Sequence, residues 1–231
     1  MRLWVVGLAL LAHSALASAG DWAVLRPGPV HMGEAPEKPG PGWLALHRVG
    51  VKEWRLSPVM VKAKRVPDSI TEYGIDITST QPGALILIRL PGLRAGPAQT
   101  PKGWEEPPAR SDAFPVVAVS AVRFNEQDYR FDVEPAVTQQ VAFDGSPYEA
   151  HSAPLYISSG DRRTLIGESG SQDNDDANQI VWMGDLDGDG RLDFIVSTES
   201  KNSGGLCLYL SRGAQAPELL NRPYCHIGIG C

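Results

Sequence analysis

The sequence predicts an all-β protein of mainly antiparallel sheets, sandwich or barrel-like, with two sub-lobes as one way of dividing it. Three observations carry that expectation. Short apolar runs recur along the chain between clusters of Gly, Pro, Asn, Asp and Ser. In residues 129–134, Tyr, Phe and Val alternate with Arg, Asp and Glu, which is the two-residue period of a half-buried strand. No stretch sustains an apolar period of about 3.6 residues between helix caps.

Residues 1–19 read as a secretory signal peptide. Arg2 precedes an apolar stretch from Leu3 to Ala12, and the small residues Ala17, Ser18 and Ala19 close it. That stretch is too short for a spanning helix, which needs about 20 residues, so the mature chain is expected to be secreted or periplasmic with no membrane span. Residues 20–42 follow as a leader; positions 26–42 hold five Pro and four Gly, a composition that favours an extended or mobile segment over packed structure. Order is expected to start near Trp43.

An N-terminal β region then occupies 43–115, with strands over 43–49, 54–66, 75–80 and 84–90. Lys62 and Lys64 fall on alternate positions and mark a solvated strand face. Residues 84–88 are apolar without alternation, as in a strand covered on both faces. A Pro-rich loop over 91–115 closes the region, with Trp104 placed to dock on the body. The C-terminal β region, 116–231, begins with a hairpin of 119–124 and 129–134. It continues in strands over 137–143, 154–158, 179–183, 194–198 and 206–211.

Lys and Arg number 21 against 27 Asp and Glu, a net charge of -6, so the chain lacks the basic footprint that nucleic acid or anionic lipid demands. An oxidising compartment favours disulfides, and the chain has three cysteines, Cys207, Cys225 and Cys231. Cys207 lies in a strand, and a bridge from it to Cys225 or to Cys231 would tie down the tail. No short C-x-x-C spacing suggests zinc.

The chemistry concentrates at Asp185-Leu186-Asp187-Gly188-Asp189-Gly190-Arg191-Leu192-Asp193. Carboxylates at positions 1, 3, 5 and 9, with glycine at position 6 for a sharp turn, form a hard oxygen set suited to Ca2+. Asp185, Asp187 and Asp189 would bind directly, Arg191 through its carbonyl, and Asp193 directly or through water. Without a cation, unit charges about 4 to 5 Å apart repel by several kcal/mol at an effective dielectric near 20. Position 12 is Val196 and both flanks read as strands, which sets an EF-hand aside. Magnesium, with its stricter octahedral demand, is the less suited ion. The acids Asp173, Asp175 and Asp176 lie upstream, where a turn or an added ligand are both open readings.

Residues 182–196 resemble the calcium loop of FG-GAP/VCBS-type repeats, in which a strand, an Asp-rich loop and a second strand form a hairpin. The similarity covers one copy, and more loosely 129–231 resembles secreted bacterial proteins that carry a single such loop near the carboxyl end. The resemblance implies calcium at Asp185, Asp187, Asp189, Arg191 and Asp193, and a role in surface recognition.

The nucleophile elbow, H-E-x-x-H, P-loop and dinucleotide motifs are all missing from the sequence. His31, His47, His151 and His226 stand apart from any Cys, Ser or acid pattern that would mark a triad. Most of Trp22, Trp43, Trp54, Trp104 and Trp182 are expected in the core rather than in a glycan platform. The expected function is a non-catalytic binding or envelope-associated module with a structural calcium ion and a protein or glycan ligand. The alternative is a secreted hydrolase with an unrecognised site that uses acids among Asp173, Asp175 and Asp176.

Overall fold

The computed structural model describes residues 22–104, 120–134, 136–141, 145–152, 154–167, 170–171, 177–200 and 203–229. The expected signal peptide, the acids Asp173 to Asp176 and Cys231 lie outside them. Among the described residues there is no helix, and every strand pairing is antiparallel. Among these residues no helix is long and apolar enough to cross a membrane.

The first strands are β1 (Ala23–Leu25), β2 (Gly28–His31), β3 (Trp43–Val49), β4 (Glu53–Val59), β5 (Val61–Val66), β6 (Gly74–Ser79), β7 (Ala84–Arg89) and β8 (Gly96–Ala98). There follow β9 (Ala121–Phe124), β10 (Gln127–Val133), β11 (Ala136–Val141), β12 (Pro147–Ser152), β13 (Leu155–Ser159), β14 (Arg162–Gly167) and β15 (Gly170–Ser171). The last are β16 (Ala177–Gly184), β17 (Asp193–Ser200), β18 (Ser203–Tyr209) and β19 (Tyr224–Ile229).

Four sheets stack in layers, in the order β2-β6-β5, then β1-β7-β3-β4-β8, then β16-β17-β18-β19, then β14-β13-β10-β9; a smaller sheet has the order β11-β12-β15. Three apolar clusters fill the gaps. Trp43, Ala45 and Leu87 meet Val61, Ile75 and Ile77 between the first two layers. Leu46, Trp54, Leu56, Ile86 and Ile88 meet Trp182, Ile195, Leu206 and Leu208 between the second and third. Tyr129, Phe131, Leu155 and Ile157 meet Met183, Phe194, Val196 and Tyr209 between the third and fourth. The middle cluster joins strands from either side of the expected 115/116 division, so one continuous interior serves both regions.

Layering explains the unbroken apolar runs. In β17, Phe194 and Val196 face one cluster and Ile195 the other. In β18, Leu206 and Leu208 oppose Cys207 and Tyr209 in the same way. A strand with both faces covered loses the polar half of its alternation. Each fully buried Leu, Ile or Phe there contributes about 1.5–3 kcal/mol of transfer free energy. A register shift between Ile180 and Trp182 places Val181 and Trp182 on the same side, a bulge that turns the large ring of Trp182 edge-on to Trp54.

Several expectations change. Strand structure is present already at Ala23, ahead of the expected Trp43: β1 pairs with β7, and Val24 and Leu25 are buried in two different clusters. The apolar triplet is too short to stand out in a Pro- and Gly-rich segment. Pro29 fits β2 because that strand is an edge, where a missing N–H costs no ladder bond. The expected single strand 54–66 divides at Met60, with β4 in one sheet and β5 in the next. Strands β12, β14, β15 and β19 go beyond the expected set, and the 91–115 loop contains β8. The hairpin of β9 and β10 turns at Asn125 and Glu126, whose φ angles of 45° and 66° are the left-handed pair of a type I′ turn.

Other expectations hold. Strand β7 lies between β1 and β3 and sends Ile86 and Ile88 to one cluster and Leu87 to another. Lys62 and Lys64 are exposed on β5, an edge strand that such charges protect from unwanted pairing. Trp43, Trp54 and Trp182 are buried, and Trp104 packs against the outer cluster. Cys207 bonds to Cys225, its direct partner across β18 and β19.

Candidate metal centre

Strands β16 and β17 pair down to Gly184 opposite Asp193, so the acidic loop closes a hairpin. No helix flanks it, in keeping with the exclusion of an EF-hand. The Asp185 amide donates to the Gln99 carbonyl at 2.8 Å, which ties the loop to the segment just after β8. Gly184 permits that approach, because a Cβ there would stand 2.3 Å from the same carbonyl and 2.7 Å from the Trp182 ring. Gly188 and Gly190 take φ values of 78° and 84°, a conformation open to glycine at little cost.

Asp185 organises the turn. Its Oδ1 accepts the amides of Gly188 at 2.7 Å and Asp189 at 3.1 Å, and its Oδ2 accepts that of Gly190 at 2.9 Å. Asp193, 0% exposed, accepts the Leu186 amide on Oδ2 at 2.8 Å and the Ser211 amide on Oδ1 at 2.8 Å. The fourth layer buttresses the loop. Asn125 donates to the Gly190 carbonyl at 2.9 Å, and the Tyr129 hydroxyl accepts the Leu192 amide at 3.2 Å.

Oxygens of Asp185, Asp187 and Asp193 lie within 4.8 Å of one another, close enough to share a metal ion. Asp187 has a side chain only 4% exposed, yet its Oδ2 accepts no hydrogen bond; Arg212 Nε stands 3.4 Å away as a charge partner. Burial pushes the Asp187 carboxyl up, and the Asp189 charge adds to it. Burial likewise pushes Asp193 up to about 8, reinforced by the Asp187 charge. A buried acid cluster of this kind demands neutralisation, by protons or by a cation.

Asp189, the fourth carboxylate of the expected set, turns elsewhere. Arg191 clamps it with its amide at 2.9 Å and with Nε and Nη2 at 3.1 and 2.6 Å, and the Ser211 hydroxyl donates at 3.1 Å. Arg191 therefore enters the site as a counter-charge to Asp189.

Sequence reasoning did not single out Ser211, Arg212, Gln99, Asn125 or Tyr129 for the site. Ser211 and Arg212 reach it through the register that sets Phe194 opposite Tyr209, which no motif spacing displays. Of the histidines, His47 is buried and bonded to Ser57 and to the Arg48 carbonyl, and His31 is paired with Asp68. No protein-family model, curated protein or solved structure matches the chain.

Proposed function

We propose that this is a secreted, non-catalytic β protein in which the 185–193 loop binds calcium as a structural ion, and that it serves as a binding or cell-envelope-associated module. The observation that carries the ion is the buried Asp187 Oδ2, without a hydrogen bond beside the carboxylates of Asp185 and Asp193. An oxygen withdrawn from water and left without a donor costs about 1–3 kcal/mol, more when charged, and a bound cation removes that cost.

The donors are all hard oxygens, the preference of calcium or magnesium rather than of zinc or copper. Asp185, Asp187 and Asp193 would hold the ion, with the Arg191 carbonyl as a further donor. Asp189 would join by releasing part of its Arg191 clamp. The site lies between sheets, tied to Gln99 on one side and to Asn125 and Tyr129 on the other. An ion there would fasten layers together, which is the work of a structural metal. The acidic balance of the chain supports a protein or glycan partner over nucleic acid.

Thermal unfolding of the full chain in calcium, in magnesium and in chelator tests the ion. Calcium at a free concentration 100 times its dissociation constant should add about 2.7 kcal/mol of stability. Asp187→Asn should melt no lower than wild type in chelator and lose the calcium response. Identical wild-type melting in all three conditions would end the proposal.

A further inference from the structure

Arg212 reaches the acidic loop from the turn after β18. Its Nη2 donates to the Asp187 backbone carbonyl at 2.9 Å, while its Nε stands 3.4 Å from Asp187 Oδ2 without forming a hydrogen bond. The surrounding turn is fixed. Ser211 is anchored on Asp193, the Ala214 amide donates to the Ser211 carbonyl at 3.2 Å, and the Asn221 side chain donates to the Arg212 carbonyl. The Arg212 side chain is 55% exposed, so its charge is delivered by a rigid backbone on a side chain that can swing out to water.

We propose that Arg212 is a built-in, displaceable counter-ion of the metal site, holding the place of the cation at Asp187 and competing with it. The proposal rests on the metal reading above. Its geometry is that of a placeholder: the directional bond goes to the backbone carbonyl, and Asp187 Oδ2 keeps its lone pairs. Calcium approaches a carboxylate oxygen to about 2.3–2.6 Å, far inside the guanidinium distance, and two positive charges at one oxygen repel. Binding therefore requires Arg212 to withdraw, and its charge lowers the affinity of the site. In return, the chain holds this loop together while the ion is absent. Arg191 is the contrasting case, since it grips Asp189 through three bonds.

The test is calcium titration by calorimetry on the full chain, with melting in chelator, for wild type, Arg212→Gln and Arg212→Lys. Arg212→Gln should bind calcium roughly fivefold more tightly, the scale of a partly exposed charge pair, and should melt lower than wild type in chelator. Arg212→Lys keeps the charge and should stay within about twofold of wild-type affinity. Binding by Arg212→Gln alone, with none by wild type, would also support competition. Equal or weaker binding by Arg212→Gln beside a calcium-binding wild type overturns the Arg212 proposal and leaves the metal reading standing. No binding by any of the three overturns both.

Discussion

Ser211 donates both its amide, at 2.8 Å, and its hydroxyl, at 3.0 Å, to Asp193 Oδ1, across a separation of 18 residues. The pair welds the end of the acidic loop to the turn after β18, and Asp193 is fully buried at the junction. Asp193→Ala would strand the Leu186 and Ser211 amides in the interior, while the Ser211 hydroxyl keeps Asp189 as an acceptor. Each unsatisfied group costs about 1–3 kcal/mol, not fully additively, so a loss of about 3 kcal/mol or more is expected. Ser211→Ala removes only the hydroxyl and should cost about 1 kcal/mol. Urea denaturation in chelator separates this framework role from ion binding; an Asp193→Ala loss below that of Ser211→Ala would contradict it.

Gly184 and Gly204 give a matched comparison. A Cβ at Gly184 would collide with the Gln99 carbonyl, a backbone atom that cannot move without moving the loop, whereas at Gly204 the nearest atom is the Thr198 carbonyl at 3.6 Å. Gly184→Ala should cost at least about 2 kcal/mol, the scale of a forced backbone shift in a packed interior. Gly204→Ala should fall within about 0.5 kcal/mol of wild type or stabilise slightly. Equal midpoints for the two variants would refute the close approach.

The all-β class and the hairpin around the acidic loop were legible because both are local. Alternation in 129–134, the paired apolar flanks of the loop and glycine at its turn are all visible within a few residues. What the sequence hid depends on partners far along the chain. Val24 and Leu25 form a strand only because β7 lies beside them, and Ser211 becomes an Asp193 ligand only through the β17 and β18 register. Asp189 shows the limit of a motif. Its position in the series matches Asp185 and Asp187, yet the arginine two residues later changes what it touches.

The disulfide closes a loop with a sequence separation of 18 between directly paired strand residues, Cys207 and Cys225. Cross-linking a loop of that size restricts the unfolded chain by about 3 kcal/mol in the chain-entropy account. Cys225→Ser should lose roughly that much stability and become insensitive to reductant, while Cys231→Ser should unfold like wild type. Urea midpoints with and without reductant check this, and a Cys231→Ser variant as weakened as Cys225→Ser would reassign the bridge.

His31 and Asp68 fasten the outermost sheet, with Nδ1 and Oδ2 at 2.6 Å. The hydrogen bond that His31 donates to Asp68, aided by the Asp68 and Glu34 charges, raises the His31 pKa above its ordinary value. Bonds from the Thr71 hydroxyl, from His31 and from the Ile70 amide hold the Asp68 carboxyl well below the usual range. The signs then follow. The contribution from His31 is complete below the unfolded histidine value and fades as pH rises through the raised folded one. That from Asp68 is present above the unfolded carboxyl value and fades only in strong acid. Asp68→Asn should therefore melt furthest below wild type near pH 5.5, with the gap narrowing by about pH 9, and the His31 titration followed by NMR should move down. Melting curves that stay parallel across that range, with an unmoved His31 titration, would show that the pair carries no charge.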